Sequence, residues 1–367
     1  MKRAALRASV ALVGVVVAAC VAELVVRFGL PQPQLIVTPG LTTPDRPGRY
    51  RLTPGYDGRY SNRVEYSVRV MVNRYGIRGP ELEPSRGEFR LLAVGDSFAF
   101  GTGVEENQTF VERAASELRL AGYPAVALNG GTPGFGPPDA VSWLERHGRE
   151  LDPDVVVLAI FLGNDLQDAL IGQGVWRVAT SASASGWANE LRTWLDANSH
   201  AFILLKRTVP LPLQRSVRAW VGRSLSPEDR HLDRELEALQ RHHPTWMADA
   251  LTELDQALKR LTASGTPVVA MLIPSDLQLD PSLLRATAAH LGLREELDPD
   301  QPRRLFRALL TQRSVPYLDL TELLRRRYNS GERLYYRYDR HWTALAHAIA
   351  GRELARFLHD RGLIGTR

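Results

Sequence analysis

The chain has a single cysteine, Cys20, in 367 residues. No intrachain disulfide can form, and no cysteine-based zinc site can be built. Lysine is almost missing: the 46 basic residues include only Lys2, Lys206 and Lys259. The formal charge of +5 therefore rests on arginine. No Lys/Arg cluster is interleaved with aromatics, which argues against a nucleic-acid surface. None of the nine histidines falls in an H-x-x-x-H pair. His242-His243 lies in a charged stretch and reads as a solvated face. No motif calls for a metal or another cofactor, and no internal repeat is visible. The apolar content of 44%, with Gly and Pro spread along the chain, reads as globular. The length suits one large domain with appendages.

Only one long hydrophobic run is present. It extends from Ala8 to Val26, is broken by Glu23, and follows Lys2, Arg3 and Arg7. That is about the length a helix needs to cross a bilayer. A basic flank stays in the cytoplasm, which puts the rest of the chain outside. Residues 1–30 are thus expected to be an uncleaved, single-pass signal anchor in the cytoplasmic membrane. Val17-Ala18-Ala19-Cys20 resembles a lipobox, so a lipoprotein anchored at Cys20 is the alternative. A buried helix of a soluble domain fits the basic start poorly.

Residues 31–88 read as a linker and a small β extension. Leu30 to Gly58 is rich in Pro, Gly and Thr, whereas Val64, Tyr66, Val68, Val70 and Val72 alternate as in one or two strands. From Phe89 the pattern becomes strand–helix alternation. Strands are predicted at Arg90–Val94, Ala125–Leu128, Val155–Phe161, Val268–Ile273 and Tyr317–Leu320. Helices are predicted at Thr109–Ala121, Asp139–Glu150, Met247–Ala263, Pro302–Arg313 and Thr343–His359. Short strands that are apolar on both faces imply a mostly parallel sheet covered by helices. The main domain is placed at 89–360, with an insertion at about 170–244. That insertion carries Trp176, Trp187, Trp194 and Trp220 and the patch Phe202-Ile203-Leu204-Leu205. A lid, a substrate platform, a membrane-facing element and packing filler all remain open for it.

Four elements carry chemistry. In "RLLAVGDSFAFGTGV" the apolar run stops at Gly95-Asp96-Ser97, where Gly95 permits a sharp turn and Ser97 can offer both a hydroxyl and a free N–H. Alone this is weak, since such tripeptides often cap helices. In "ALNGGTPGFG" the glycines after Leu128 can aim backbone N–H groups at a developing oxyanion. In "FLGND" the Asn164 amide is a further donor, or else an Asx-turn or helix cap. In "YYRYDRHWTALAHAIAGREL" Asp339 and His341 are two apart, which in extended chain puts them on one side. Thr343 reads as an N-cap. Ala346, Ile349, Ala350, Leu354 and Phe357 then form the face that anchors the loop. Together these supply the parts of a serine acyl-transfer site: nucleophile, base, orienting acid and oxyanion donors.

At these residues the chain resembles the SGNH (GDSL) hydrolase superfamily, over roughly Phe89 to Leu358 outside the insertion. The resemblance implies a three-layer α/β/α, flavodoxin-like fold on a five-stranded sheet, and hydrolysis of acyl esters of glycans, lipids or small alcohols. It implies Ser97, Asp339 and His341 as catalytic residues and Ser97, Gly134 and Asn164 as the oxyanion hole. Two blocks depart from the common pattern. Leu162 stands at the first position of the usual Gly-x-Asn-Asp, and Asp-x-His-Trp replaces Asp-x-x-His. The latter, with "VNRYGIRGPE", is similar to an envelope-bound, membrane-anchored branch that includes alginate O-acetyltransferase-like proteins. Three functions follow as candidates: an extracytoplasmic serine esterase, a polysaccharide O-acetyltransferase with the same triad, and a catalytically silent glycan-binding scaffold. Acyl chain length, alcohol and oligomeric state are not encoded in any motif.

Overall fold

The computed structural model describes residues 2–32, 38–46, 49–82, 87–171, 191, 194–195, 198–208, 232, 235–241, 245–293 and 295–365. Among the described residues, four strands precede the main sheet. β1 (Thr42–Arg46) pairs antiparallel with β2 (Arg49–Leu52), and β3 (Asp57–Ser61) pairs antiparallel with β4 (Ser67–Met71). β1, β2 and the start of β3 thus lie inside the stretch expected to be a linker. Their inward residues are too few for a periodic signal: Leu41 and Leu52 are buried, while most neighbours stay partly exposed. The alternation around Val68 holds, with Tyr66, Val68, Val70 and Val72 all buried beside Phe100.

The main sheet has five strands: β5 (Phe89–Gly95), β6 (Ala125–Gly131), β7 (Val155–Phe161), β8 (Val268–Ile273) and β9 (Tyr317–Asp319). Their order is β6-β5-β7-β8-β9 and every pairing is parallel. This is the flavodoxin-like order, and its reversal between β5's two neighbours opens a crevice at the strands' carboxyl ends.

Alternate residues feed two cores, as the twofold repeat of a strand requires. Leu91, Ala93, Val155, Val157, Val269 and Met271 pack against helices Phe110–Leu120 and Ala344–Asp360. Leu92, Val94, Val156, Leu158, Ala270 and Leu272 pack against helices Pro137–His147, Trp246–Thr262 and Gln301–Gln312. The result is the expected three-layer α/β/α arrangement. All five expected helices are present. The one expected to run to Glu150 ends at His147, and a 3₁₀ turn, Gly148–Leu151, completes it. Short helices at Ser97–Phe100, Asp165–Ile171 and Asp276–Leu279 were not anticipated, since four to seven residues carry almost no periodicity; the longer helices Pro281–Leu291 and Thr321–Asn329 were not anticipated either.

Helix Lys2–Gly29 contains Ser9–Gly29, a stretch of mean hydropathy 2.6 that is long and apolar enough to cross a membrane. Near its end Glu23 accepts hydrogen bonds from Ser199 Oγ (2.8 Å), His200 N (3.1 Å) and Ala201 N (3.0 Å). It thereby caps helix His200–Thr208. Trp176, Trp187, Trp220, His242 and His243 lie outside the described residues; Trp194 is exposed.

Candidate active site

Gly95 ends β5 with φ 151°, and a Cβ there would lie 2.7 Å from the Ala159 carbonyl oxygen. Only glycine fits that bend. The chain then enters helix Ser97–Phe100, capped by the Asp96 side chain accepting from Phe98 N at 2.9 Å. Ser97 is therefore the first residue of a helix. Its N–H is one of the donors a helix start leaves unpaired, and it donates to no group among the described residues. Arg78 fixes the other end of this helix. Its buried guanidinium donates to the carbonyls of Phe100 (2.8 Å), Gly101 (2.7 Å) and Val104 (2.5 Å).

β6 runs on to Gly131, where a Cβ would meet Phe100 N at 2.1 Å. Thr132-Pro133-Gly134-Phe135 is a β-turn closed by Phe135 N to Thr132 O at 3.1 Å. Pro133 at its second position and Gly134 with φ 81° at its third make it type II. Asn164 follows β7, and its carbonyl accepts from Gln167 N and Asp168 N at 2.9 Å, which starts helix Asp165–Ile171. Its side chain is left over: the buried Oδ1 has no partner among the described residues. The cap reading is thus right for the Asn164 backbone and wrong for its amide.

The Asp339–His341 segment is not extended, contrary to expectation. Tyr335 bridges Trp342, and Tyr336 N donates to the His341 carbonyl at 2.9 Å, so residues 334–343 fold back on themselves. Arg340 takes the left-handed conformation (φ 65°) between the two side chains. The tight turn, not strand periodicity, brings them together. Thr343 does start the last helix, but its hydroxyl donates to the Arg333 carbonyl at 2.8 Å and makes no cap bond.

His341 Nε2 lies 2.7 Å from Ser97 Oγ. Its Nδ1 meets Asp339 Oδ1 in a short contact. Asp339 Oδ2 accepts from the Tyr66 hydroxyl at 2.6 Å. Phe98 lies under the imidazole, ring centroids 5.0 Å apart, and Trp342 meets Phe98 edge-on. Burial opposes ionisation of Asp339, but the His341 charge and hydrogen bonds from His341 and Tyr66 outweigh it, so its pKa lies below the usual value. Burial likewise opposes protonation of His341, and Asp339's charge and hydrogen bond, with Asp96, overcome it; the imidazole pKa is raised. Burial pushes Asp96 up to about 6, against the Phe98 N–H bond and the His341 charge.

Several positioning groups escaped the sequence reading. Arg340 donates through Nε to both Asp276 oxygens at 3.0 Å and pairs with buried Glu235 at 3.1 Å. Glu65 accepts the backbone N–H of Arg337 (2.7 Å), Tyr338 (3.1 Å) and Asp339 (3.0 Å). No pattern in the sequence marks these side chains; they lie 64 to 274 residues from what they hold in the chain. Arg78 sat inside the quoted "VNRYGIRGPE" without a stated role.

Residues 232–366 match a family described as "SGNH hydrolase-like domain, acetyltransferase AlgX". The chain therefore carries an SGNH hydrolase-like segment with AlgX similarity, as its motifs implied. Solved structures that the chain matches include a lipase/acylhydrolase from Enterococcus faecalis (12% identity, 74% of this chain and 96% of that one, TM-score 0.39). Others are an acetyl xylan esterase, AlAXEase (12%, 74% and 99%, TM-score 0.40), and a catalytic mutant of the acetylxylan esterase Axe2 from Geobacillus stearothermophilus (14%, 77% and 99%, TM-score 0.39). No curated protein matches.

Proposed function

We propose that this chain is a serine esterase that removes acyl groups, O-acetyl foremost, from esters of cell-envelope carbohydrate or lipid. Ser97 Oγ attacks the ester carbonyl as His341 Nε2 takes its proton, and Asp339 orients and balances the imidazolium. The N–H groups of Ser97 and Gly134 and the Asn164 amide receive the developing oxyanion. His341 returns the proton to the departing alcohol oxygen, which leaves acyl-Ser97. Water, deprotonated by the same nitrogen, then releases the carboxylic acid and restores the serine. No cofactor enters this cycle. Helix Ser9–Gly29 anchors the protein in the cytoplasmic membrane, and the basic residues before it keep the catalytic domain outside.

One observation carries the reading. A hydroxyl and an imidazole 244 positions apart in the chain lie 2.7 Å from each other at the carboxyl end of β5, and the imidazole's other nitrogen is on a carboxylate. A second reading draws on the AlgX-like match, which covers the His341 segment: a sugar hydroxyl replaces water in the second half, making the chain a polysaccharide O-acetyltransferase.

A fluorophosphonate probe applied to the full-length protein in detergent should label Ser97, and His341→Ala should abolish labelling. Activity on acetyl esters should fall roughly 10⁴- to 10⁶-fold in either Ser97→Ala or His341→Ala. A folded protein that resists the probe would instead be a scaffold. Acetate release at full rate without any glycan acceptor would decide for hydrolysis over transfer.

A further inference from the structure

The β3–β4 hairpin precedes the domain that holds the serine and the histidine, yet its tip reaches the Asp339 carboxylate. The tip is a preformed turn. Asn62 Oδ1 accepts from the N–H groups of Val64 (3.2 Å), Glu65 (2.8 Å) and Tyr66 (3.3 Å), and Ser61 Oγ donates to the Tyr66 carbonyl at 2.8 Å. Asn62 is 2% exposed and Tyr66 8%. The Tyr66 ring packs on Tyr60 and Tyr336 (centroids 6.4 and 5.1 Å), and its core includes Phe100, the last residue of the serine's own helix. With the ring so confined, the hydroxyl is aimed at Asp339 Oδ2, 2.6 Å away. That leaves Oδ1 for His341.

We propose that Tyr66 is a positioning residue for the triad: its hydroxyl fixes the rotation of the Asp339 carboxylate, so that the membrane-proximal extension is part of the catalytic apparatus. This rests on the serine-esterase reading above. A carboxylate held at one oxygen cannot swing its other oxygen away from the imidazole. It also shares its charge with the phenol. Without the hydroxyl, more of that charge faces His341, the imidazolium is favoured, and the neutral base appears only at higher pH.

The test is the rate of fluorophosphonate labelling of Ser97 in the full-length protein in detergent, measured against pH for wild type, Tyr66→Phe and Tyr336→Phe. Both variants keep their rings. Tyr336 donates its hydroxyl to the Gly103 carbonyl at 2.8 Å, in the same aromatic cluster, with no bond to Asp339. Tyr66→Phe should label about 10- to 100-fold more slowly near neutrality, the scale of one lost hydrogen bond to a charged group. Its acid limb should move to higher pH. Tyr336→Phe should leave that limb in place. A Tyr66→Phe profile that overlays wild type would overturn the proposal. So would equal shifts in both variants, which would mean general loosening of the cluster. A wild-type protein that never labels would remove the esterase reading itself, a result distinct from either.

Discussion

Ser97 sits on a helix wedged against the sheet, whereas the His341 loop hangs on side chains from distant segments. On the serine side, Gly95 bends where no Cβ fits, Gly131 lets β6 touch the serine helix, and Gly134 sits in a type II turn just after β6. On the histidine side, a short loop hangs on Glu65, Tyr66, Asp276 and Glu235, which come from three other parts of the chain. The first half is inseparable from the sheet core, so damage to it is damage to the fold. The second half is a mounted part, so its supports can be weakened while the core survives. The contrast makes a measurable claim: variants on the two sides should differ in how stability loss compares with activity loss.

Gly95→Ala should give the largest stability effect. It combines a positive φ with a Cβ 2.7 Å from a carbonyl oxygen that belongs to the neighbouring strand. Strain and overpacking together should cost about 3 kcal/mol or more. Denaturant unfolding should report this, with activity falling in step. A Gly95→Ala protein of wild-type stability that lacks activity would erase the distinction between the two sides.

Glu65→Gln comes next. The carboxylate serves three loop N–H groups and the Asn62 amide with two acceptor oxygens. A glutamine turns one acceptor into a donor, which faces other donors. Global stability should drop by about 1–2 kcal/mol, while kcat/KM should drop about tenfold or more because Asp339 and His341 lose register. Thermal unfolding and ester turnover on one preparation give both numbers. Proportionate losses, as in Gly95→Ala, would show that the loop is not a separately mounted part.

The same division explains what could be read from the sequence. Glycines after apolar runs leave a visible mark, so the ends of β5, β6 and β7 and the residues Ser97, Gly134 and Asn164 could be picked out. Asp339 and His341 were found because they are neighbours in the chain, although the turn through Arg340 replaces the extended geometry expected of them. Glu65, Tyr66, Asp276 and Glu235 were illegible. Each is a common polar side chain whose role appears only when distant segments meet. The β1–β2 hairpin was missed for a related reason: its short strands bury too few side chains to alternate visibly.

The smallest expected effect is a shift in pH dependence, and it separates the two sides by sign. Ester hydrolysis needs neutral His341, so kcat/KM should rise with pH through the imidazole's pKa. Because that pKa is raised, the midpoint should lie above the ordinary value of about 6.5. Asp96, on the serine side, is one of the charges that raise it. Asp96→Asn keeps an oxygen for the Phe98 N–H but loses the charge, so the acid limb should move to lower pH. Tyr66→Phe, on the histidine side, should move it the other way. Stability gives an independent check on the same residue. The buried Asp96 carboxyl has its pKa raised to about 6, so the native state favours its protonated form. Its contribution to stability is present below the unfolded value of about 3.9 and declines as pH rises through about 6. Asp96→Asn should remove that decline, leaving the variant more stable relative to wild type at neutral pH than at pH of about 4. If Asp96→Asn and Tyr66→Phe displaced the limb in the same direction, the charges around His341 would not be arranged as described.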